Sequence, residues 1–150
     1  MIRRVVILGS TGSIGTQALD VARAFPELFS IQGLSCFSNI DAFISQVNEF
    51  KPPFVAVSTD AQKQQLLNTV RYSPTVFVGD SGLVDLVSVD MDLLLVAIVG
   101  TAVLPPVCAA IETVDHIAIA NKEVLVAAGS FIMPMVHQHK TMFIPVDSEH

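Results

Sequence analysis

Two stretches of this 150-residue chain set side chains together that could do chemistry, and a third could hold an anion. The chain ends in "PVDSEH", where Asp147 and Glu149 stand two residues apart with Ser148 between them. In an extended segment such residues project to one side. Paired hard oxygen donors suit Mg²⁺ or Mn²⁺, which take a few carboxylates and keep positions for water or substrate. A third ligand would be needed, and a solvated acidic loop is the alternative. His150 makes a poor zinc ligand, because no Cys or His cluster accompanies it. Earlier, "ANKE" places an amide, an ammonium and a carboxylate in a row as Asn121, Lys122 and Glu123. Lys122 is a candidate functional residue by position. Asn121 also has the chemistry of an N-cap opening the helix that holds Glu123, and both readings can hold together.

The third stretch is "GSTGSIG", residues 9–15, after the apolar run "VVIL". Closely spaced glycines let the backbone bend tightly and approach a phosphate, and the helix that follows presents free N–H groups and a positive dipole end. Ser10, Thr11 and Ser13 are candidate hydroxyl donors to phosphate oxygens. The spacing is G-x-x-G-x-x-G, which differs from the G-x-G-x-x-G dinucleotide fingerprint and lacks the G-K-[ST] ending of a P-loop. An NAD-type site places Asp or Glu about 20 residues after the glycines to hold the ribose 2′-hydroxyl. Here "LSCFSN", from Leu34 to Asn39, has no carboxylate, which favours NADP over NAD, although it offers no Arg or Lys to the extra phosphate.

These residues need a frame. Short apolar runs predict strands at Arg4–Leu8, Ser30–Ser35, Phe54–Val57, Thr75–Val78, Leu93–Ala97, His116–Ile119 and Thr141–Val146. Helical periodicity predicts helices over Ser13–Phe25, Ile40–Phe50, Ala61–Thr69, Leu104–Thr113 and Lys122–His139. In the first helix Ile14, Ala18, Val21, Ala22 and Phe25 share a face, and Pro26 follows as a stop. Alternation of this kind gives a parallel α/β sheet with right-handed crossovers, whose ligands sit beyond the carboxyl ends of the strands. All three stretches follow strands, as does "AIVGTA" at residues 97–102.

Composition narrows the class. The chain is long enough for one well-buried domain. Hydrophobic residues make up 51% and charged residues 15%, so apolar surface must be covered by packing, by a partner or by further chain. A net charge of −6 argues against a nucleic-acid or membrane-surface role. Cys36 and Cys108 lie outside any CxxC pattern, as in a reduced cytosolic protein. The four apolar residues before Gly9 are too short for a signal peptide, and "LLLVAIVG" is broken by Gly100 and the prolines after it. His137 and His139 point apart on a helix, Cys108 is expected in the core, and Tyr72 lacks the lysine four residues on of a Tyr-x-x-x-Lys acid/base pair.

Taken in order, "GSTGSIG", "AIVG", "ANKE" and "PVDSEH" resemble the 1-deoxy-D-xylulose 5-phosphate reductoisomerase family from the first strand to the last residue. The resemblance implies an α/β, Rossmann-like doubly wound fold, a mostly parallel sheet with helices on both faces. It implies NADPH and a divalent cation (Mg²⁺, Mn²⁺ or Co²⁺) as cofactors, and a small phosphorylated sugar as substrate. The implied activity converts 1-deoxy-D-xylulose 5-phosphate to 2-C-methyl-D-erythritol 4-phosphate in non-mevalonate isoprenoid synthesis, in a bacterial cytoplasm or a plastid. Carried over by motif, Thr11, Gly12, Ser13, Ile14, Asn39, Asn121 and Glu123 would contact NADPH. Lys122, Ser148 and Glu149 would meet the substrate, with Lys122 and Glu149 catalytic, and Asp147 and Glu149 would ligate the metal. Phe37 and Ser38 stand where the family typically has Gly or Ala with a basic neighbour. Residues 1–150 would then be the NADPH-binding domain, ending within the metal and substrate motif. The family's catalytic and C-terminal domains would lie outside this chain, which alone would be inactive; the full-length protein would be a homodimer. The competing classes are a semialdehyde-dehydrogenase-like or dihydrodipicolinate-reductase-like NADP domain, and a nucleotide-binding module without catalysis.

Overall fold

The apolar runs of the sequence become the strands of one sheet, and its central strands are buried by helices packed on both faces. The computed structural model describes residues 1–146, apart from the side chains of Thr101, Lys122 and Ala127. Among the described residues, the order is β1 (Arg3–Leu8), α1 (Ser13–Ala24), β2 (Phe29–Ser35), α2 (Ile40–Phe50), β3 (Phe54–Val57), α3 (Asp60–Thr69), β4 (Thr75–Val78) and α4 (Gly79–Leu86). There follow β5 (Leu93–Val96), a 3₁₀ turn (Thr101–Val103), α5 (Leu104–Ile111), β6 (His116–Ile119), α6 (Lys122–His139) and β7 (Met142–Pro145). The strands pair in parallel in the order β4-β3-β2-β1-β5-β6-β7. The sheet is therefore wholly parallel, and its winding reverses between β1 and β5.

Two cores lie on opposite faces. On one, Leu19 and Ala22 of α1, Phe43, Ile44 and Val47 of α2, and Leu66 of α3 pack on Val5, Ile7, Leu34, Val55 and Val57. On the other, Leu86 of α4, Val107 and Ile111 of α5, and Val124, Ile132 and Val136 of α6 pack on Val6, Leu8, Leu94, Val96, Ile117 and Ile119. Helices α1 to α3 cover the first face only over its β1 to β4 half. Beyond β1 on that face, Leu93 and Ala118 are half-buried, while Met142 and Ile144 are 57% and 39% exposed. Val5, Ile7, Ala18, Val21, Leu95 and Ala118 line an apolar cavity of about 230 Å³ there.

Several expectations need correction. Helix α4 is absent from the sequence expectation, because "GDSGLVDL" carries two glycines and two aspartates, which are poor helix formers. Burial of Leu86, with Leu83 packed at the edge of the same core, holds it in place. The inward face of α1 is centred on Leu19 and Ala22, whereas Val21 and Phe25 are 48% and 46% exposed. Among the described residues no helix covers the face of β5 to β7 beside Val21, and Phe25 caps the helix end outside the core. Cys108 is half-buried, because Val107, Ala110 and Ile111 take the core side of α5.

Candidate functional site

The reversal between β1 and β5 sets two loops side by side at the carboxyl end of the sheet, the place where ligands bind in open α/β folds. The loop after β1 is the glycine-rich turn. Gly9 has φ +86°, a left-handed conformation, and a Cβ there would lie 2.9 Å from the Ala97 carbonyl oxygen of the loop after β5. Gly15 packs its Cα against the turn itself, since a Cβ would come within 2.6 Å of Ser10 Cα. The two loops thus meet backbone to backbone at Gly9 and Ala97, with the Ile98 side chain beside the contact.

Asn39, Thr59 and Asn121 cap α2, α3 and α6 with their side chains. Gly12 caps α1 and makes no side-chain cap hydrogen bond. The first-turn N–H groups of α1, like those of α4 and α5, therefore lack the side-chain acceptor that α2, α3 and α6 have, and at the switch point this leaves an end suited to an anion. Thr11 is half-buried, and Gly12 and Ser13 are exposed beside it. Ser10 behaves differently from its sequence expectation. It is fully buried, and its hydroxyl donates to Gln46 Oε1 at 2.8 Å. It faces into the protein and is no phosphate donor.

The loop after β5 and the "ANKE" segment form one unit. Asn121, buried, donates from Nδ2 to the carbonyls of Ile98 at 2.8 Å and Gly100 at 2.7 Å, while its Oδ1 accepts from the Val124 N–H. The Gly100 N–H donates to the Glu123 carboxylate at 3.1 Å. Asn121 is thus the expected N-cap, and its side-chain amide holds the neighbouring loop. Beyond β2, Asn39 accepts from the Ala42 N–H, and Phe37, 79% exposed, offers its carbonyl to Ser58 Oγ and Gln62 Nε2 at 2.9 and 2.8 Å.

The structure brings Thr11, Gly12, Ser13, Ile14, Asn121 and Glu123 to the carboxyl end of the sheet, with Asn39 at the end of the adjacent β2. The Lys122 side chain, Asp147, Ser148, Glu149 and His150 lie outside the described residues. Val146 donates its N–H to the Ile119 carbonyl, so the chain reaches the same end of the sheet. Among the described residues, no group of three or more His, Cys, Asp or Glu could hold a metal ion. Sequence reasoning missed Ser35 and Gln46, which fasten the glycine-rich turn. The one signal for Gln46 was a polar residue on the stripe formed by Phe43, Val47 and Phe50.

Neither cysteine has the environment of a nucleophile. Burial pushes the Cys36 thiol up to about 11, and burial with the nearby Glu112 charge raises that of Cys108; both are free. A reactive thiol needs the opposite shift.

An all-parallel sheet wound in both directions, with a glycine-rich turn at its switch point, places the chain in the Rossmann-like class of α/β domains. The model of the 1-deoxy-D-xylulose 5-phosphate reductoisomerase family matches residues 5–129, and the chain belongs to that family. It is 44% identical over 148 residues to the 1-deoxy-D-xylulose 5-phosphate reductoisomerase of Thermoanaerobacter sp. (strain X514), covering 99% of this chain and 39% of that protein. Its structure superposes with a TM-score of 0.93 and 30% identity on the Zymomonas mobilis enzyme in complex with NADPH, covering all of this chain and 40% of that one. A DOX-P reductoisomerase in complex with magnesium gives a TM-score of 0.93 at 33% identity, covering all of this chain and 38% of the other. The chain thus spans about two-fifths of the length of these relatives.

Proposed function

We propose that this chain is the NADPH-binding part of an enzyme that isomerises and reduces 1-deoxy-D-xylulose 5-phosphate to 2-C-methyl-D-erythritol 4-phosphate. The observation that carries this reading is the switch point, where an α1 end without a side-chain cap opens beside two loops in backbone contact, in a chain of this family. The turn from Thr11 to Ile14 would take the cofactor pyrophosphate on backbone N–H groups and hydroxyls. Asn39 would stand by the adenosine ribose, and Asn121 and Glu123 would shape the loop against the nicotinamide. The bound nicotinamide supplies hydride; the protein's part is to orient it and exclude water. Lys122 and Ser148 would contact the substrate, with Glu149 contacting both substrate and metal. Asp147 and Glu149 would hold a divalent cation that polarises the substrate carbonyl, with a further ligand from outside this chain.

The face of β5 to β7 that no helix covers among the described residues supports residues 1–150 being one domain of a longer protein whose remaining part covers it. The raised cysteine thiols count against a semialdehyde-dehydrogenase-like reading. The carboxylate pair at 147 and 149 has no use in a module that only senses nucleotide.

The test is NADPH oxidation with substrate and Mn²⁺, by the 150-residue chain and by the same chain extended to the relatives' length. The extended protein should turn over and the short one should not, while both bind NADPH. Turnover by the short chain would overturn the division into domains, and absence of turnover by a folded extended protein would overturn the activity.

A further inference from the structure

Resting on the dinucleotide-binding reading, we propose that Gln46 is a positioning residue that sets the direction of the Thr11 N–H, and hence the anion-binding form of the glycine-rich turn. The Gln46 side chain engages Ser10 twice. Its Nε2 donates to the Ser10 carbonyl at 2.9 Å, and its Oε1 accepts from the Ser10 hydroxyl at 2.8 Å. The amide serves both partners at once, a donor for the carbonyl and an acceptor for the hydroxyl, which also faces the Ser35 carbonyl at 3.3 Å. Ser35 completes the hold. Its hydroxyl oxygen accepts from the Gly9 N–H at 2.9 Å and its carbonyl from the Ser10 N–H at 3.0 Å. Ser10 and Ser35 are 0% and 1% exposed and Gln46 is half-buried, so these bonds are partly shielded from competing water.

The consequence follows from the planar trans peptide. The Ser10 carbonyl and the Thr11 N–H belong to one peptide unit and point in opposite directions. With the carbonyl drawn inward to Gln46, the Thr11 N–H is turned outward, to the side where Gly12 and Ser13 are exposed. If that peptide flipped, a carbonyl oxygen would face the incoming anion instead of a donor. Gln46 is hydrogen-bonded to Ser10 and acts through it.

Gln46→Glu separates this role from simple packing. When ionised, the introduced carboxylate has no proton for the Ser10 carbonyl and favours the flipped peptide, in which the Thr11 N–H would face it. When protonated, the same carboxyl can again donate to the carbonyl. Calorimetric titration of the chain with NADP⁺, which withstands acid, should show Gln46→Glu binding about tenfold or more weaker than wild type near pH 8. That gap should narrow severalfold near pH 5, as the carboxyl takes up its proton. Expressing each affinity relative to wild type at the same pH removes the titration of the cofactor's own 2′-phosphate. Gln46→Ala should be weakened by a similar factor at both pH values, with a cooperative thermal transition showing that it folds. If the alanine variant does not fold, the narrowing in Gln46→Glu decides alone. Binding of Gln46→Glu within twofold of wild type near pH 8, or an equal deficit at both pH values, overturns the proposal. Failure of wild type to bind NADP⁺ would instead overturn the dinucleotide reading, and the role of Gln46 with it.

Discussion

Adding one methyl group at Gly15 should do more damage than adding it at Gly12, three residues earlier in the same turn. A Cβ on Gly15 would overlap the Gly9 carbonyl oxygen and meet Ser10 carbon atoms at 2.6 and 2.9 Å. These are backbone atoms that cannot rotate away, and the tightest contact falls more than about 1 Å short of ordinary packing. Either α1 or the turn must move by that amount. Inside a helix, Gly→Ala would otherwise gain up to about 1 kcal/mol, and overpacking costs about 1–3 kcal/mol. Gly15→Ala should therefore lose about 1–2 kcal/mol net, or roughly 2–8 °C in Tm for a chain of this length. Its NADPH affinity should fall about tenfold or more, since the displaced atoms are those of the turn. Gly12 has φ −79°, and the nearest neighbour to a Cβ added there is the Gly9 carbonyl oxygen at 3.9 Å. Gly12→Ala should keep the wild-type melting temperature and lose cofactor affinity, because the methyl occupies the open side of the turn. Differential scanning calorimetry and NADPH titration of both variants read out the pair. A Gly15→Ala protein that melts higher than wild type and binds NADPH normally would refute the close-approach reasoning.

Other expectations follow from particular contacts. Asn121→Ala leaves the Ile98 and Gly100 carbonyls and the Val124 N–H without their partner and should cost about 1–3 kcal/mol in denaturant unfolding. Asp92 accepts from both the backbone N–H and the guanidinium of Arg4, and that hydrogen bonding holds its carboxyl below the usual range. Glu49 is held low in the same way by Arg23. Groups with depressed folded values contribute stability above their unfolded pKa and lose it as pH falls through the folded one. The Tm should therefore hold at neutral pH and fall below the ordinary carboxylate range, less steeply in Asp92→Asn. Iodoacetamide should label Cys36 at least about tenfold more slowly in the folded chain than in denaturant near pH 8, because its thiol is buried and raised.

Much of this architecture is legible in the sequence because parallel strands buried on both faces leave a simple signature. The runs "VVIL", "FVAV", "LLLV" and "HIAI" can be little else once helical periods lie between them. The glycine-rich turn is legible for a similar reason, since its spacing between strand and helix states a backbone demand. Helix α4 is hidden because tertiary burial of Leu86 overrides the poor propensity of its glycines and aspartates. The hidden part of the site has the same origin. Ser35 and Gln46 lie 25 and 36 residues from Ser10 in sequence, and only the winding of β2 and α2 beside β1 brings them to the turn. Ser10 misleads because its type suits a phosphate equally well. Which way a hydroxyl faces depends on partners that local sequence does not contain.

Equilibrium titration of the 150-residue chain with NADPH and with NADH tests the central claim most directly. One NADPH should bind per chain, with a weaker response to NADH and with binding lost in Gly12→Ala without loss of fold. A chain that binds neither cofactor while folded, or that prefers NADH, would contradict it.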